Sequence, residues 1–236
     1  VFDGSGNYIS GSTIQDSMVE RGGGDEGVSG EIQVNGASPF IDHNTIRYSS
    51  TNGIYAIGRS SEQKIFIERS SLTNNSGAGA NVSAGNLTDN TIANNTGKGG
   101  LVVDSVMTNN LVSNNSSAAT GGGIYTEGSI LIENTVSGHN ATGWGGGIYA
   151  IGGSLIGNIV TGNHVSGRDY PGPYTAYGGG IYIRGGSLTN NIISGNTCSD
   201  WAPYDVGNAA GGGIYSALSV LNGNQVSNNS ANGAYG

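Results

Sequence analysis

The side chains best equipped for chemistry fall in two stretches, residues 164–177 and 197–210. They hold Tyr170, Tyr174, Tyr177, Trp201 and Tyr204 together with Asp169, Asp200 and Asp205, and Trp144 stands a short way upstream. Aromatic faces beside carboxylates suit sugar rings, which stack on the one and hydrogen-bond to the other. The same mixture suits a protein partner, or two loops that pack on each other. Asp104 and Glu127 form a second candidate, because on neighbouring rungs of a repeat they would chelate a cation or share a proton. Two solvated carboxylates are the plainer reading of that pair. His139 and His164 fall near successive rungs but lack the further ligands that a metal site needs. No Asp-Asp, Asn-Thr-Asp or Gly-His-Gly occurs, so hydrolysis by paired carboxylates has no support in the sequence.

These residues must be positioned by a repeat. Gly-Gly-Gly-Ile-Tyr occurs at 121–125, 145–149, 178–182 and 211–215, with a weaker Asn-Gly-Ile-Tyr at 52–55. From Ile124 the isoleucine recurs after 24, 33 and 33 residues. A second motif keeps the same time: an aliphatic residue, two residues, Asn, one residue, then Val, Ile or Leu, as in Leu131-Ile-Glu-Asn134-Thr-Val136. A recurrence of this length is the mark of a solenoid. Stacked short strands bury faces that no single repeat can bury alone.

Three inward stacks are expected. The first is Ile41, Ile67, Leu87, Met107, Leu131, Leu155, Leu188 and Leu221, and the second runs from Ile46 and Leu72 to Val226. The third is Ile54, Val82, Leu101, Ile124, Ile148, Ile181 and Ile214. Three stacks imply an all-β, three-sheet parallel solenoid of about nine to ten coils. Two asparagine columns accompany them, one through Asn90, Asn110 and Asn134, the other through Asn95, Asn115, His139 and Asn163. Both are expected at sharp corners, in the left-handed conformation, with their amides bonded into ladders. Tyr55, Tyr125, Tyr149, Tyr182 and Tyr215 form an outward aromatic column, read as sheet-stabilising stacking ahead of a sugar platform.

Composition narrows the function. The net charge is −8 with only 8 Lys plus Arg, so no basic stripe exists for nucleic acid. One cysteine, Cys198, permits no intrachain disulfide. No apolar run is long enough to insert into a membrane as a helix. Gly at 45 of 236 residues opposes helix, while the periodic aliphatics oppose disorder. Eight sequons, at Asn74, Asn81, Asn86, Asn94, Asn114, Asn115, Asn140 and Asn228, offer acceptors for glycosylation.

Residues 1–236 read as one solenoid, with degenerate coils over 1–40, regular coils over 41–236, and insertions at 164–177 and 197–210 leaving one corner of neighbouring coils. Insertions on one face of a solenoid commonly form its binding surface. The chain ends in mid-repeat and is expected to belong to a larger assembly, either by continuation of the solenoid or by end-to-end self-association.

Segments such as Asn90-Thr-Ile-Ala-Asn-Asn95 and Asn191-Ile-Ile-Ser-Gly-Asn196 resemble coils of right-handed parallel β-helices of the pectate-lyase-like superfamily. Gly-Gly-Gly-Ile is also similar to the Gly-Gly-Ala-Ile repeat of polymorphic membrane protein adhesins, which are autotransported. Those proteins pair it with Phe-x-x-Asn, where this chain has Leu131-x-x-Asn134, so the likeness is partial. The first resemblance implies the right-handed fold. Superfamily enzymes cut or epimerise acidic polysaccharides with Asp clusters, often with calcium. The leading expectation is an extracellular or cell-surface, non-catalytic β-helix of an adhesin or filament. The alternative is a polysaccharide-binding or polysaccharide-degrading protein with its site at the aromatic loops. Partners would be polysaccharide, another surface protein or further copies of the chain. No cofactor is implied, with calcium at Asp104 and Glu127 left open.

Overall fold

The computed structural model describes residues 12–22, 29–58, 64–167, 175–199 and 208–233. Every strand pair among them is parallel, and each strand pairs with its counterpart one coil away. One coil shows the plan. Ile124–Glu127 forms the first wall, Ile130–Ile132 the second, Thr135–Ser137 the third and Asn140–Thr142 a fourth, before a glycine turn leads to Ile148–Ile151. The first two walls join in a 15-stranded sheet, bridged by the nine-residue strands Ile181–Thr189 and Ile214–Asn222. The third wall is a 9-stranded sheet running from Met18–Glu20 to Gln225–Ser227. The fourth is a 5-stranded sheet that begins only at Ser116–Ser117.

The first two expected stacks form as read. Leu87 pairs with Ile67 and Met107, and Ile92 with Leu72 and Val112, all fully buried. Both extend into the irregular first residues, since Ile14 pairs with Ile41 and Val19 with Ile46.

The third stack is corrected. Ile124 pairs with Gly100, and Leu101 falls opposite Tyr125 in the outward column. Ile54 likewise pairs with Ala80, while Val82 pairs with Ala56 and Val102. This wall has two inward positions per strand, and in these coils the larger residue fills the second. A slip of one residue exchanges the two faces of a strand, so matching Leu101 to Ile124 put Leu101 on the wrong side.

The asparagines are ladders, but they do not occupy the left-handed corners. That conformation falls on the residue before each ladder asparagine, at Asp89 (φ 57°), Asn109 (φ 54°) and Glu133 (φ 53°) on one corner and at Asn74, Asn94 and Asn114 on the other. The ladder asparagines turn inward and are buried. Asn110 donates its N–H and its Nδ2 to the Oδ1 of Asn134, at 2.9 Å each, and Nδ2 also reaches the Leu87 carbonyl at 2.9 Å. Each amide thus meets the turn's backbone groups as well as its neighbour, satisfying polar groups that burial would otherwise leave orphaned.

The triple glycine has a steric origin. Gly178 holds φ +68°, and a Cβ on Gly179 would collide with the Gly212 carbonyl oxygen of the next coil. A side chain at either site would strain or separate the coils.

Two buried side-chain atoms among the described residues make no hydrogen bond, Asn86 Oδ1 and the Thr126 hydroxyl. The Thr126 hydroxyl faces inward between Val102 and Ala150, is 1% exposed as a residue, and makes no hydrogen bond. Thr126→Val keeps the shape and removes the unsatisfied group. Unfolding stability is expected to rise by about 1 kcal/mol, read as a higher denaturant midpoint at unchanged slope. A fall would mean that the hydroxyl is satisfied.

Candidate functional site on the aromatic wall

The outward side of the first wall gathers most of the aromatic residues among the described ones. Strand alternation points Tyr125, Tyr149, Tyr182 and Tyr215 away from the core, and pairing sets them in one column. Their rings stack at centroid separations of 5.0, 4.9 and 5.4 Å with interplanar angles of 18°, 6° and 6°. Tyr55 lies apart from them, since Asn81 and Leu101 occupy the two rungs between. Trp144 and Tyr177 form a parallel second column, joined by a single β-bridge. Trp144 stacks on Tyr182 at 5.4 Å, and Tyr177 on Tyr215 at 4.4 Å. Parallel rings at these distances are favourable packing.

The stacking constrains what the wall offers a ligand. Rings that stack on one another cover part of each other's faces, and Trp144 and Tyr177 brace the tyrosine column by their contacts with Tyr182 and Tyr215. A third column flanks it, with Val103, Glu127, Ile151 and Arg184 on successive rungs. The Tyr125 hydroxyl donates to Glu127 Oε1. Partial burial and the nearby Glu127 carboxylate push the Tyr125 phenol up to about 12. Lys98 places its ammonium 5.7 Å from the Tyr125 ring centre, within cation–π range, and burial pushes its pKa down. Neither Lys98 nor Arg184 forms an ion pair among the described residues.

The expected insertions at 164–177 and 197–210 begin and end in paired strands. His164–Ser166 pairs with Thr197–Ser199, and Thr175–Tyr177 pairs with Asn208–Ala210. The ends of the expected loops are therefore strands, held by a small separate core of Ala141, Val165, Ala176, Cys198 and Ala209. Asp169, Tyr170, Tyr174, Asp200, Trp201, Tyr204 and Asp205 lie outside the described residues.

The model of the right-handed beta helix region matches residues 30–197. The chain belongs to this family. No curated protein matches it. Among solved structures, this β-helix is similar to a double mutant of the periplasmic alginate epimerase AlgG, at 12% identity and TM-score 0.46, covering 91% of this chain and 50% of that one. It is also similar to an alginate lyase from Paenibacillus sp. strain FPU-7, at 13% identity and TM-score 0.42, covering 92% of this chain and 99% of that one. The β-helix thus spans half the length of the epimerase.

Other expected sites of the β-helix are changed by its register. Asp104 does not share a rung with Glu127, which lies opposite Val103. Asp104 turns the corner at φ 48°, and only its backbone N–H meets Glu127, at the carbonyl. No group of three or more His, Cys, Asp or Glu able to hold a metal occurs among the described residues. His139 and His164 are also separated in role. His139 is a buried rung of the asparagine ladder, whereas His164 faces Asn140 and reaches the Ser199 hydroxyl at 3.3 Å.

Of the sequons, Asn74, Asn94, Asn114 and Asn228 stand exposed at left-handed corners, and Asn140 is exposed on a strand. Asn81 and Asn86 are half-buried. Asn115 is corrected as an acceptor: it is fully buried and its Nδ2 donates to the Ile92 carbonyl at 3.0 Å.

A charged corner escaped the sequence reading. Asp42 is 1% exposed as a residue, although its column faces outward on later coils. Arg69 covers it with Nε at 2.9 Å and Nη2 at 2.8 Å, His43 Nδ1 lies at 2.9 Å, and Gln15 Nε2 at 3.3 Å. Burial alone would push the Asp42 carboxyl up, but the hydrogen bonds and charges of Arg69 and His43 outweigh it and hold the carboxyl below its usual value. The signal was present in Asp42-His43 and Glu68-Arg69, which occupy equivalent places in two copies of the repeat. The cluster clamps the first coils together across the stack.

No helix among the described residues is long and apolar enough to cross a membrane.

Proposed function

We propose that the aromatic wall binds an anionic polysaccharide outside the cytoplasm. The observation that carries this reading is the pair of cations on that wall. In a chain of net charge −8, Lys98 and Arg184 stand on one face without carboxylate partners, on either side of stacked tyrosines. The rungs of Tyr125 and Arg184 are two strands apart, about 10 Å, a span suited to a chain that carries repeated carboxylates or sulfates. Tyrosine hydroxyls and ring edges between the cations would meet sugar hydroxyls. The strands that flank the two insertions pair on neighbouring coils beside this wall.

Affinity electrophoresis against polyuronate, sulfated and neutral glucan gels tests the reading. Retardation is expected with the charged polymers only, and it should weaken with added salt. Arg184→Ala and Lys98→Ala are each expected to lower affinity about tenfold, the worth of one charge-assisted contact. Equal retardation by the neutral glucan, or none by any polymer, would overturn it. The non-catalytic adhesin or filament would then be the reading to pursue.

A further inference from the structure

The third wall is separate from the aromatic site and has a different surface. One outward column carries Leu111, Thr135, Ile159 and Ile192 on consecutive rungs. Two residues on, the next column carries Ser113, Ser137, Thr161 and Ser194. A row rich in methyl groups therefore runs beside a row of hydroxyls. Pairing is in unbroken register from Ser71–Thr73 to Gln225–Ser227, with no bulge among these strands. No outward position on that run is ionisable. Leu111, Ile159 and Ile192 are 44%, 40% and 40% exposed, so the array is open to water.

We propose that this wall binds ice. The occupant is an ordered water lattice, and the wall has the properties that such a surface demands. It repeats in two directions, about 4.8 Å between strands and about 6.8 Å between alternate residues on a strand, spacings on the scale of water-lattice repeats. The buried asparagine ladders on the two corners bounding each strand fix the rungs against one another. Methyl groups order the water that cages them, and hydroxyls anchor that water by hydrogen bonds. The absence of charge also matches this occupant, because an ionic side chain would orient its own hydration shell against the lattice. By contrast, the first wall carries charged side chains, among them Lys98, Glu127 and Arg184.

Nanolitre osmometry on the purified native chain tests the proposal. Thermal hysteresis that grows with protein concentration, together with faceted crystals, is the expected result. Thr161→Lys and Ile159→Lys place a charge at the centre of the wall and should abolish most of the hysteresis while leaving the melting temperature of the protein close to that of the native chain. Asp104→Asn, at a corner of another wall, should leave the hysteresis unchanged. Round crystals without hysteresis at every concentration, or hysteresis that both lysine variants retain, would overturn it. Polysaccharide retardation is independent of these outcomes, so the two proposals fail separately.

Discussion

Asn134→Ala is expected to lower the stability of the β-helix by about 4 kcal/mol, from two or more orphaned buried polar groups at roughly 1–3 kcal/mol each. Asn134 is fully buried. Its Oδ1 accepts the Asn110 N–H and the Asn110 Nδ2, at 2.9 Å each. Its own Nδ2 donates to the Met107 carbonyl and to Asn158 Oδ1, at 3.0 Å each. Alanine removes all four bonds. The neighbouring Asn109 supplies the control. It occupies the left-handed corner at φ 54°, and its side chain meets only the Asp89 carboxylate on the surface. Asn109→Gly, which tolerates that φ, should cost within about 0.5 kcal/mol. Denaturant titrations of both variants provide the comparison. Similar losses would show that corner conformation, rather than the buried ladder, holds the coils.

The second large effect depends on pH. His139 replaces an asparagine in the ladder, and its imidazole copies the amide. Nδ1 accepts the Asn115 N–H at 3.0 Å, and Nε2 lies 3.0 Å from the Val112 carbonyl, to which its proton is donated. This pattern requires the neutral ring. Burial pushes the His139 pKa down to about 4, against the opposing pull of the Val112 and Asn115 carbonyls. The unfolded chain binds a proton near the ordinary value of 6.5, so between those two values it holds more protons than the fold. Stability is then complete above pH 6.5 and declines as pH falls toward 4, by about 3 kcal/mol in total. His139→Asn restores the amide rung and removes this titration. Thermal melts of the two proteins from pH 8 to pH 4 should diverge progressively below pH 6.5, with the variant higher. The contributions of Asp42 and Glu68 are common to both proteins and cancel in the difference. Parallel curves would mean that His139 is protonated within the fold.

The sequence by itself determined the coil. Aliphatics at Leu131 and Val136, with Asn134 between them, recur because each coil must bury the same two wall positions and satisfy the same corner. Period, parallel stacking and the tyrosine column from Tyr125 to Tyr215 followed from that local pattern. Tertiary structure decided whatever depended on contacts between coils 20 or more residues apart. Gly100 and Ala80 carry no hydrophobic signal, yet they occupy inward places opposite isoleucines, and their register removed Asp104 from Glu127. The fourth wall and its small core were hidden because Ala141, Ala176 and Ala209 are too small to read as core until Val165 and Cys198 are seen packed beside them. The asparagine ladders were legible as ladders, but their inward direction was not, since residue type alone does not tell which of two adjacent asparagines, Asn114 or Asn115, turns the corner. The Asp42 clamp and the unpaired Lys98 and Arg184 emerged for the same reason: charge partners on a solenoid are chosen across the stack, where sequence distance varies from coil to coil.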